Sequence, residues 1–79
     1  MSEVSPEVRE RLEHAASLYE QAAAELERGA AHARRAAEHF RNVDVPRGTA
    51  HAWATRGHVV VASRHLDEQA ELHRERANV

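Results

Sequence analysis

Apolar and small residues recur at alternating steps of four and three throughout the first half of the chain. The positions in this series are Val8, Leu12, Ala15, Tyr19, Ala22, Leu26, Gly29, Ala33, Ala36 and Phe40. Such spacing places all its members on one side of an α-helix, as in the contact line of a coiled coil. A second row runs beside it and contains Ala16, Ala23, Ala30 and Ala37. The sequence therefore predicts one long helix with a broad, alanine-rich apolar side.

Local signals predict where this helix begins and where the chain turns back. Ser5 precedes Pro6 and an acid, which is the pattern of a hydroxyl cap followed by the first helical turn. The periodicity stops after Arg41, and either Asp44 or Thr49 can cap a second helix. We predict an all-α fold: an antiparallel two-helix hairpin forming a single domain, residues 1–79. Its helices should span about 6–41 and about 48–76, with a turn at about 42–47.

Glycines leave an alternative in which the helices break into shorter repeats. Trp53, Gly57 and Val60 have the spacing found in the first helix of a tetratricopeptide repeat, but the later small and proline positions of that repeat are not met. The apolar series also passes through Gly29 in step. Unbroken helices are therefore the favoured interpretation.

Size and composition predict that the hairpin associates with another copy. A chain of 79 residues lies where a single core is marginal, and it has no cysteine to form a disulfide. Phe40, Tyr19 and Trp53 are its only aromatic residues. The second half is apolar on several sides around residues 59–61, and one partner helix cannot cover all of them. We predict a homo-oligomer, in the first place a twofold dimer that forms a four-helix bundle.

The charges are divided along the chain. Residues 1–27 carry two arginines against seven acids, residues 28–64 seven against two, and residues 65–79 two against four. In a hairpin, the turn end would be basic and the opposite end acidic, which favours an antiparallel dimer. Arginines at the turn end are compatible with nucleic acid, but aromatic residues do not interleave them apart from Phe40. Nucleic-acid binding is therefore not predicted.

The chain has seven histidines, and five of them keep heptad spacing: His32, His39, His51, His58 and His65. Residues seven apart on a helix are separated by roughly 10 Å, so a metal ion would need ligands from both helices. For a turn centred near residue 45, facing residues have numbers that sum to about 90. The candidate pairs are His39 with His51, His32 with His58, and Glu25 with His65.

Paired imidazoles and carboxylates are typical ligands of zinc, nickel, copper or iron, so these pairs define a candidate transition-metal site. The favoured alternative is that the histidines form hydrogen bonds at a helix interface without metal. A third hypothesis needs no metal either. Stacked imidazoles repel when protonated, so the assembly should loosen in mild acid.

The residues that enzymes use for catalysis are not arranged in a recognisable site. The chain has no cysteine nucleophile and no glycine-rich phosphate loop, and Ser17 and Ser63 are single hydroxyls within helices. We predict a non-enzymatic assembly or adaptor module, with Trp53, Gly57 and Val60 as the candidate contact with a larger protein partner.

Two sequence features bear on location. No apolar run approaches the roughly 20 residues that cross a bilayer. The acidic N-terminal segment lacks the basic and apolar regions of a signal peptide. We therefore expect a cytoplasmic protein that has no membrane partner.

Overall fold

The computed structural model of the chain contains two long helices packed against each other as a hairpin, which confirms the predicted all-α fold. Helix α1 spans Pro6–Arg41 and helix α2 spans Val45–Ala77. The structure describes residues 4–77 and, among these, the side chains of residues 4–71 and 74. The molecule is a flat rod of 60 × 25 × 13 Å. In the part of the chain that the structure describes, neither helix has an apolar stretch long enough to cross a membrane.

Helix α1 begins as the sequence predicts. The Ser5 hydroxyl caps the helix by accepting a hydrogen bond from the Val8 amide at 3.3 Å, and Pro6 occupies the first turn. Both helices continue through their interior glycines, Gly29 in α1 and Gly57 in α2. The alternative with helices broken at these two residues is therefore wrong.

A short turn of residues 42–44 joins the helices. The amide of Val43 donates to the Phe40 carbonyl at 3.0 Å, and the amide of Asp44 donates to the His39 carbonyl at 2.7 Å. These are the two bonds of a Schellman motif, which satisfies the last carbonyls of a helix. Val43 has a φ of 59°, in the left-handed region where glycine is usual. The turn is thus closed by backbone bonds and contains a strained valine.

Helix α2 begins at Val45, and the predicted start near residue 48 is wrong by about one turn. Asp44 rather than Thr49 is the cap: its carboxylate accepts from the Arg47 amide at 3.2 Å, and its carbonyl accepts from the Gly48 amide at 3.0 Å. Pro46 lies in the first turn, where its missing amide proton costs nothing. Asp44 therefore completes the Schellman motif of α1 and also starts α2.

The line of contact between the helices, which we call the seam, is built on small residues seven positions apart. In α1 these are Ala15, Ala22, Gly29 and Ala36, and in α2 they are Gly48, Thr55 and Ala62. A Cβ atom built on Gly29 would lie 3.5 Å from the Cβ of His58 and 3.6 Å from the Thr55 carbonyl oxygen. The helix axes are therefore close together, and large side chains do not fit between them.

The rest of the seam is mostly polar. The α1 positions between the small residues are Leu18, Glu25, His32 and His39, and the corresponding α2 positions are His51, His58 and His65. Gln69 stands seven residues after Ala62, where the small-residue row of α2 would continue. Of these, Leu18 and Gln69 are buried and the others are half-buried. The predicted apolar contact line is therefore wrong in part. Ala15, Ala22, Gly29 and Ala36 of that line lie in the seam, whereas Leu12, Tyr19, Leu26, Ala33 and Phe40 lie beside the seam and are exposed.

Most of the large apolar side chains that the structure describes lie outside the seam. Leu12 is 54% exposed, Tyr19 47%, and Leu26 and Phe40 46% each. The buried apolar side chains among the described residues are Leu18, Ala22, Ala36 and Ala62. One leucine and three alanines make a very thin core for a hairpin of two long helices.

Candidate functional site: an apolar face and a histidine ladder

Two rows of exposed apolar side chains, one on each helix, form a surface that we call the apolar face. In α1 they are Leu12, Tyr19, Leu26, Ala33 and Phe40, and in α2 they are Val45, Ala52, Val59 and Leu66, all spaced by seven. Each row follows the seam at the same heptad position. Because the helices are antiparallel, equivalent flanking positions lie on the same side of the hairpin.

Contacts across the seam confirm that the two rows share one side. The position of a Cβ on Gly29, in α1, lies 4.0 Å from Cγ2 of Val59, in α2. A Cβ on Gly48, in α2, would lie 2.7 Å from the ring of Phe40, in α1. Each apolar row therefore leans over the small residues of the opposite helix, and the two rows form one flat surface.

The opposite side of the hairpin is polar. There, His14 of α1 and Glu68 of α2 approach to 3.5 Å between Nε2 and Oε1. Each of them directly precedes a seam residue of its own helix, Ala15 in α1 and Gln69 in α2. The apolar rows instead lie four residues after the small seam residues. The hairpin is thus amphipathic as a unit, although its seam is polar.

A second exposed apolar area lies on the outer side of α2. Trp53 is 65% exposed and Val60 is 41% exposed. The guanidinium carbon of Arg56 lies 5.7 Å from the Trp53 ring centroid, and Ala52, Trp53 and Arg56 line an open cavity of about 230 Å³. A Cβ on Gly57 would meet no atom within 4 Å. The predicted partner-binding residues Trp53, Gly57 and Val60 therefore lie on one accessible helix side.

Four histidines form a zigzag column in the seam, which we call the histidine ladder: His39, His51, His32 and His58. The Nδ1 atoms of His32 and His51 are 2.9 Å apart, a hydrogen-bond distance. His39 stacks on His51 and His32 stacks on His58, both with ring centroids 5.3 Å apart. Each inner ring therefore contacts two rings of the other helix.

Carboxylates close both ends of the histidine ladder. At one end, Glu25 Oε2 lies 2.6 Å from His58 Nδ1, and Glu25 Oε1 accepts from Arg28 at 3.0 Å. At the other end, Asp44 Oδ2 lies 4.0 Å from His39 Nδ1 and 3.4 Å from Arg47. The outer histidines thus face acidic groups, whereas the central pair face imidazoles only.

His51 in the histidine ladder and Glu25 at its end have shifted pKa values. The hydrogen bond from His58 lowers the pKa of Glu25; burial opposes this shift, and Arg28, His58 and His65 add smaller favourable charge effects. Burial lowers the pKa of His51, and the neighbouring His32, His39 and Arg35 lower it further. Glu25 is therefore ionised and His51 is neutral at pH 7.

The four histidines of the ladder are candidate metal ligands, but the hydrogen bonds pair them differently from the sequence prediction. His39 stacks on His51 and His32 on His58, but the hydrogen bonds join His32 to His51 and Glu25 to His58. His65 is half-buried one step beyond and influences Glu25 only through its charge. Among the described side chains, no group of three or more His, Cys, Asp or Glu residues could hold a metal ion. His73 lies outside those described side chains.

The polar seam carries a signal that the sequence analysis did not use. The small residues repeat every seven positions in both helices, and the histidines repeat every seven positions between them. A row of small residues indicates close helix packing, because only alanine and glycine let helix axes approach closely.

Comparisons of the chain with protein-family models, with curated proteins and with solved structures found no significant match.

Proposed function

We propose that this protein is a small non-enzymatic assembly module that acts as a homo-oligomer, with a twofold dimer as its basic unit. In that dimer, two hairpins pack through their apolar faces to form a four-helix bundle. The apolar face is the observation that carries the proposal. It extends from Leu12 to Phe40 in α1 and from Val45 to Leu66 in α2, with its large side chains 41–56% exposed.

The thin core supports the same proposal. Among the described side chains of the hairpin, Leu18 is the one buried apolar residue larger than alanine, so these buried side chains gain little from the hydrophobic effect. A second copy would bury the leucines, valines and aromatic rings of both faces. The bundle would then have the large apolar interior that a single hairpin does not provide.

Charge supports an antiparallel arrangement of the two copies. The turn end of the hairpin carries Arg34, Arg35, Arg41 and Arg47, whereas residues 1–27 hold seven acids against two arginines. When hairpins pack face to face in opposite directions, the basic turn of each lies beside the acidic end of the other. In that geometry α1 faces α1 of the second copy, and Leu12 of one copy lies near Phe40 of the other.

The outer side of α2 supports an adaptor role for the assembled unit. Trp53 and Val60 lie beside the α2 row of the apolar face, on the outer side of the helix, so a second copy would cover Ala52 at the edge of the cavity and leave the indole accessible. An exposed indole beside an open cavity is a typical anchor for a protein partner. The partner would be a protein with an apolar side chain that fits between Trp53 and Arg56.

Sedimentation equilibrium of the untagged chain at micromolar concentration tests the dimer. We expect twice the chain mass, and a monomer under these conditions would refute the proposal. Leu26→Glu places two carboxylates inside the proposed interface and should raise the dissociation constant at least a hundredfold, about 3 kcal/mol. The matched control is Gln21→Glu, which adds the same charge to the polar side of α1 and should leave the mass unchanged.

Disulfide trapping tests the direction of packing, because the chain has no cysteine of its own. Chains carrying Leu12→Cys are mixed with chains carrying Phe40→Cys and oxidised. The antiparallel dimer predicts a crosslink between the two different variants and little between two Leu12→Cys chains. Parallel packing would instead place α1 on α2 of the other copy, so preferential crosslinking of Leu12→Cys chains to Leu66→Cys chains would show it.

Transition-metal binding is a second candidate, and the distance between the Nδ1 atoms of His32 and His51 favours it. Two nitrogens bound at about 2.05 Å and 2.9 Å apart subtend close to 90° at the ion, as in square-planar Cu(II) or Ni(II). Water would fill the remaining positions.

Thermal unfolding of the untagged, chelator-treated chain with added Cu(II) or Ni(II) tests this candidate. We expect the melting temperature to rise in the parent chain and in His14→Gln, but not in His51→Gln. An equal response of all three, or none in the parent, would exclude this site.

A further inference from the structure

The outer side of α2 carries a residue that packing within the hairpin does not explain. Gly57 lies inside the helix, where glycine is one of the least favourable residues. A Cβ atom at this position would meet no atom within 4 Å, so none of the described residues requires a glycine there. Trp53 and Val60, one turn before and one turn after Gly57, are both exposed. Gly57 therefore leaves a gap between two exposed apolar side chains, where another helix can approach the backbone of α2 closely.

Positive charge borders this gap. Residues 45–66 of α2 contain three arginines and no acidic residue. Two of these arginines, Arg56 and Arg64, are exposed beside the gap. Arg56 lies over the Trp53 ring, and Arg64 forms no ion pair with a described side chain. The surface thus has an apolar centre with arginines beside it, and it fits a partner helix that places carboxylates beside small residues.

The outer side of α1 has the complementary pattern. Glu20 and Glu27 each follow a seam residue by two positions, which places them on the side of α1 opposite the seam. Both carboxylates are exposed, and neither forms an ion pair with a described side chain. Ala24 and Ala31 follow them by one helical turn, so each carboxylate stands beside a small side chain. Every copy of the chain therefore carries both the basic apolar surface and its acidic counterpart.

We propose that the outer side of α2 in one copy binds the outer side of α1 in another copy, so that hairpins join edge to edge. The charges match when these two helices are antiparallel. Arg56 and Arg64 are eight residues apart, or roughly 12 Å along the helix, and Glu27 and Glu20 are seven apart, or roughly 10.5 Å. When Arg56 lies beside Glu27, Arg64 therefore lies beside Glu20.

The apolar side chains fit the same arrangement. Trp53 and Val60 are seven residues apart, as are Ala31 and Ala24. With the arginines beside the glutamates, the indole of Trp53 packs on Ala31, and Val60 packs on Ala24. Gly57 lies between these two contacts. The contact explains the glycine, because a larger residue at that position would hold the two helices apart.

This contact differs from the dimer contact because it joins two different surfaces. One pair of copies does not close such a contact, so each added hairpin offers a free α1 or α2 side to the next copy. The hairpin is a flat rod of 60 × 25 × 13 Å, and growth through its edges leaves the apolar face for the dimer. The proposal names a second copy as the partner of the α2 surface, and it rests on the adaptor role proposed for that surface.

Tryptophan fluorescence tests the contact, because Trp53 is the only tryptophan of the chain. Two variants each disable one surface: Trp53→Ala removes the indole from α2, and Glu27→Arg places a cation opposite Arg56. A mixture combines the intact α2 side of Glu27→Arg with the intact α1 side of Trp53→Ala. We expect the emission of Glu27→Arg to shift to shorter wavelength as Trp53→Ala is added up to millimolar concentration. This mixed contact should be at least about tenfold tighter than the self-association of Glu27→Arg.

The matched control is the double variant that carries both Trp53→Ala and Glu27→Arg and lacks both surfaces. Its addition should leave the emission of Glu27→Arg unchanged. An equal shift with Trp53→Ala and with the double variant would overturn the proposal. So would the absence of a shift with either chain, which would leave the α2 surface to a different protein.

A substitution at Gly57 separates the contact from folding. Gly57→Gln favours the helix and has room within the hairpin, so the unfolding free energy should not fall. Introduced into Glu27→Arg, it fills the gap between Trp53 and Val60 and should raise the dissociation constant with Trp53→Ala about tenfold. An unchanged dissociation constant would refute close packing at Gly57 and the proposal with it.

Failure of the dimer and failure of the edge contact give different results. Leu26→Glu disrupts the proposed contact between apolar faces but leaves Trp53 and the paired charges in place. The emission shift should therefore persist when both mixed chains also carry Leu26→Glu. A monomeric parent at micromolar concentration that still shows the shift would refute the dimer alone. A dimeric parent without the shift would refute the edge contact alone.

Discussion

The seam holds the smaller and more polar side chains of this molecule, and the apolar face beside it holds the larger and more hydrophobic ones. In the seam, Ala22 and Ala62 are 2% and 1% exposed, and Ala62 stands between His58 and His65. On the apolar face, Leu12 and Phe40 are 54% and 46% exposed. The difference shows that small size distinguishes the residues between these helices, whereas the more hydrophobic residues lie on the exposed face beside them.

The largest effect should come from enlarging a seam alanine. Ala22→Leu adds three carbon atoms at a seam position that is 2% exposed, and overpacking of this kind costs about 3 kcal/mol of unfolding free energy. Ala31→Leu makes the same change on an exposed outer position of α1 and should cost less than about 0.5 kcal/mol. Urea unfolding at one fixed protein concentration compares the two. Equal stabilities would mean that the seam does not depend on side-chain size.

A gain in stability is expected at Gln69, the most deeply buried polar side chain of the seam. It is 2% exposed, and its Nε2 finds no hydrogen-bond partner among the described residues. A buried donor without a partner costs about 1–3 kcal/mol, so Gln69→Leu should stabilise the chain by about 2 kcal/mol. Gln21→Leu, at an exposed position, is the control. A destabilised Gln69→Leu would show that the amide has an essential partner.

Substitutions of Asp44 separate its role as the cap of α2 from the effect of its negative charge near His39. Asp44→Ala removes the cap of α2 and the carboxylate near His39, and should lower the unfolding free energy by about 1 kcal/mol. Asp44→Asn keeps the cap but not the charge and should recover most of this loss. If both variants are equally destabilised, the charge rather than the cap is what matters.

The smallest effects are expected at two glycines of α2, the exposed Gly57 and Gly48 in the seam. A Cβ at Gly57 meets no atom, so Gly57→Ala should stabilise the helix by about 0.8 kcal/mol. A Cβ at Gly48 would lie 2.7–2.8 Å from the Phe40 ring, which must then move. Gly48→Ala should therefore gain less than Gly57→Ala or lose stability. Thermal unfolding of both variants shows the difference, and equal gains would mean that the Phe40 ring moves without cost.

The hairpin was predictable because its signals are local. Ser5 and Pro6 mark the start of α1, and uninterrupted heptad spacing predicts long helices that continue through glycine. The start of α2 was missed by about one turn because Asp44 and Thr49 are both acceptable caps in the sequence. Only the folded turn shows that Asp44 receives the amides of the first helical turn.

The arrangement of the candidate site was predictable only in part. Heptad spacing placed the histidines in rows, and antiparallel pairing brought the correct rows together. It did not predict the displacement of one helix along the other that brings His32 to His51 and Glu25 to His58. This displacement depends on the conformation of the turn. The apolar contact line was misassigned because hydrophobicity was taken to mark the contact between helices, whereas the repeating small residues mark it here.

The strained turn has a consequence for how copies of this chain can exchange parts. Val43 holds a left-handed backbone conformation that costs a β-branched residue roughly 1–2 kcal/mol, and it is 83% exposed. Straightening the turn would release this cost and let α2 occupy the seam of a neighbouring molecule, with every contact between the helices preserved. The choice between a self-contained hairpin and a domain-swapped pair then depends on chain concentration and on one surface residue. Glycine at position 43 would shift that choice towards the hairpin.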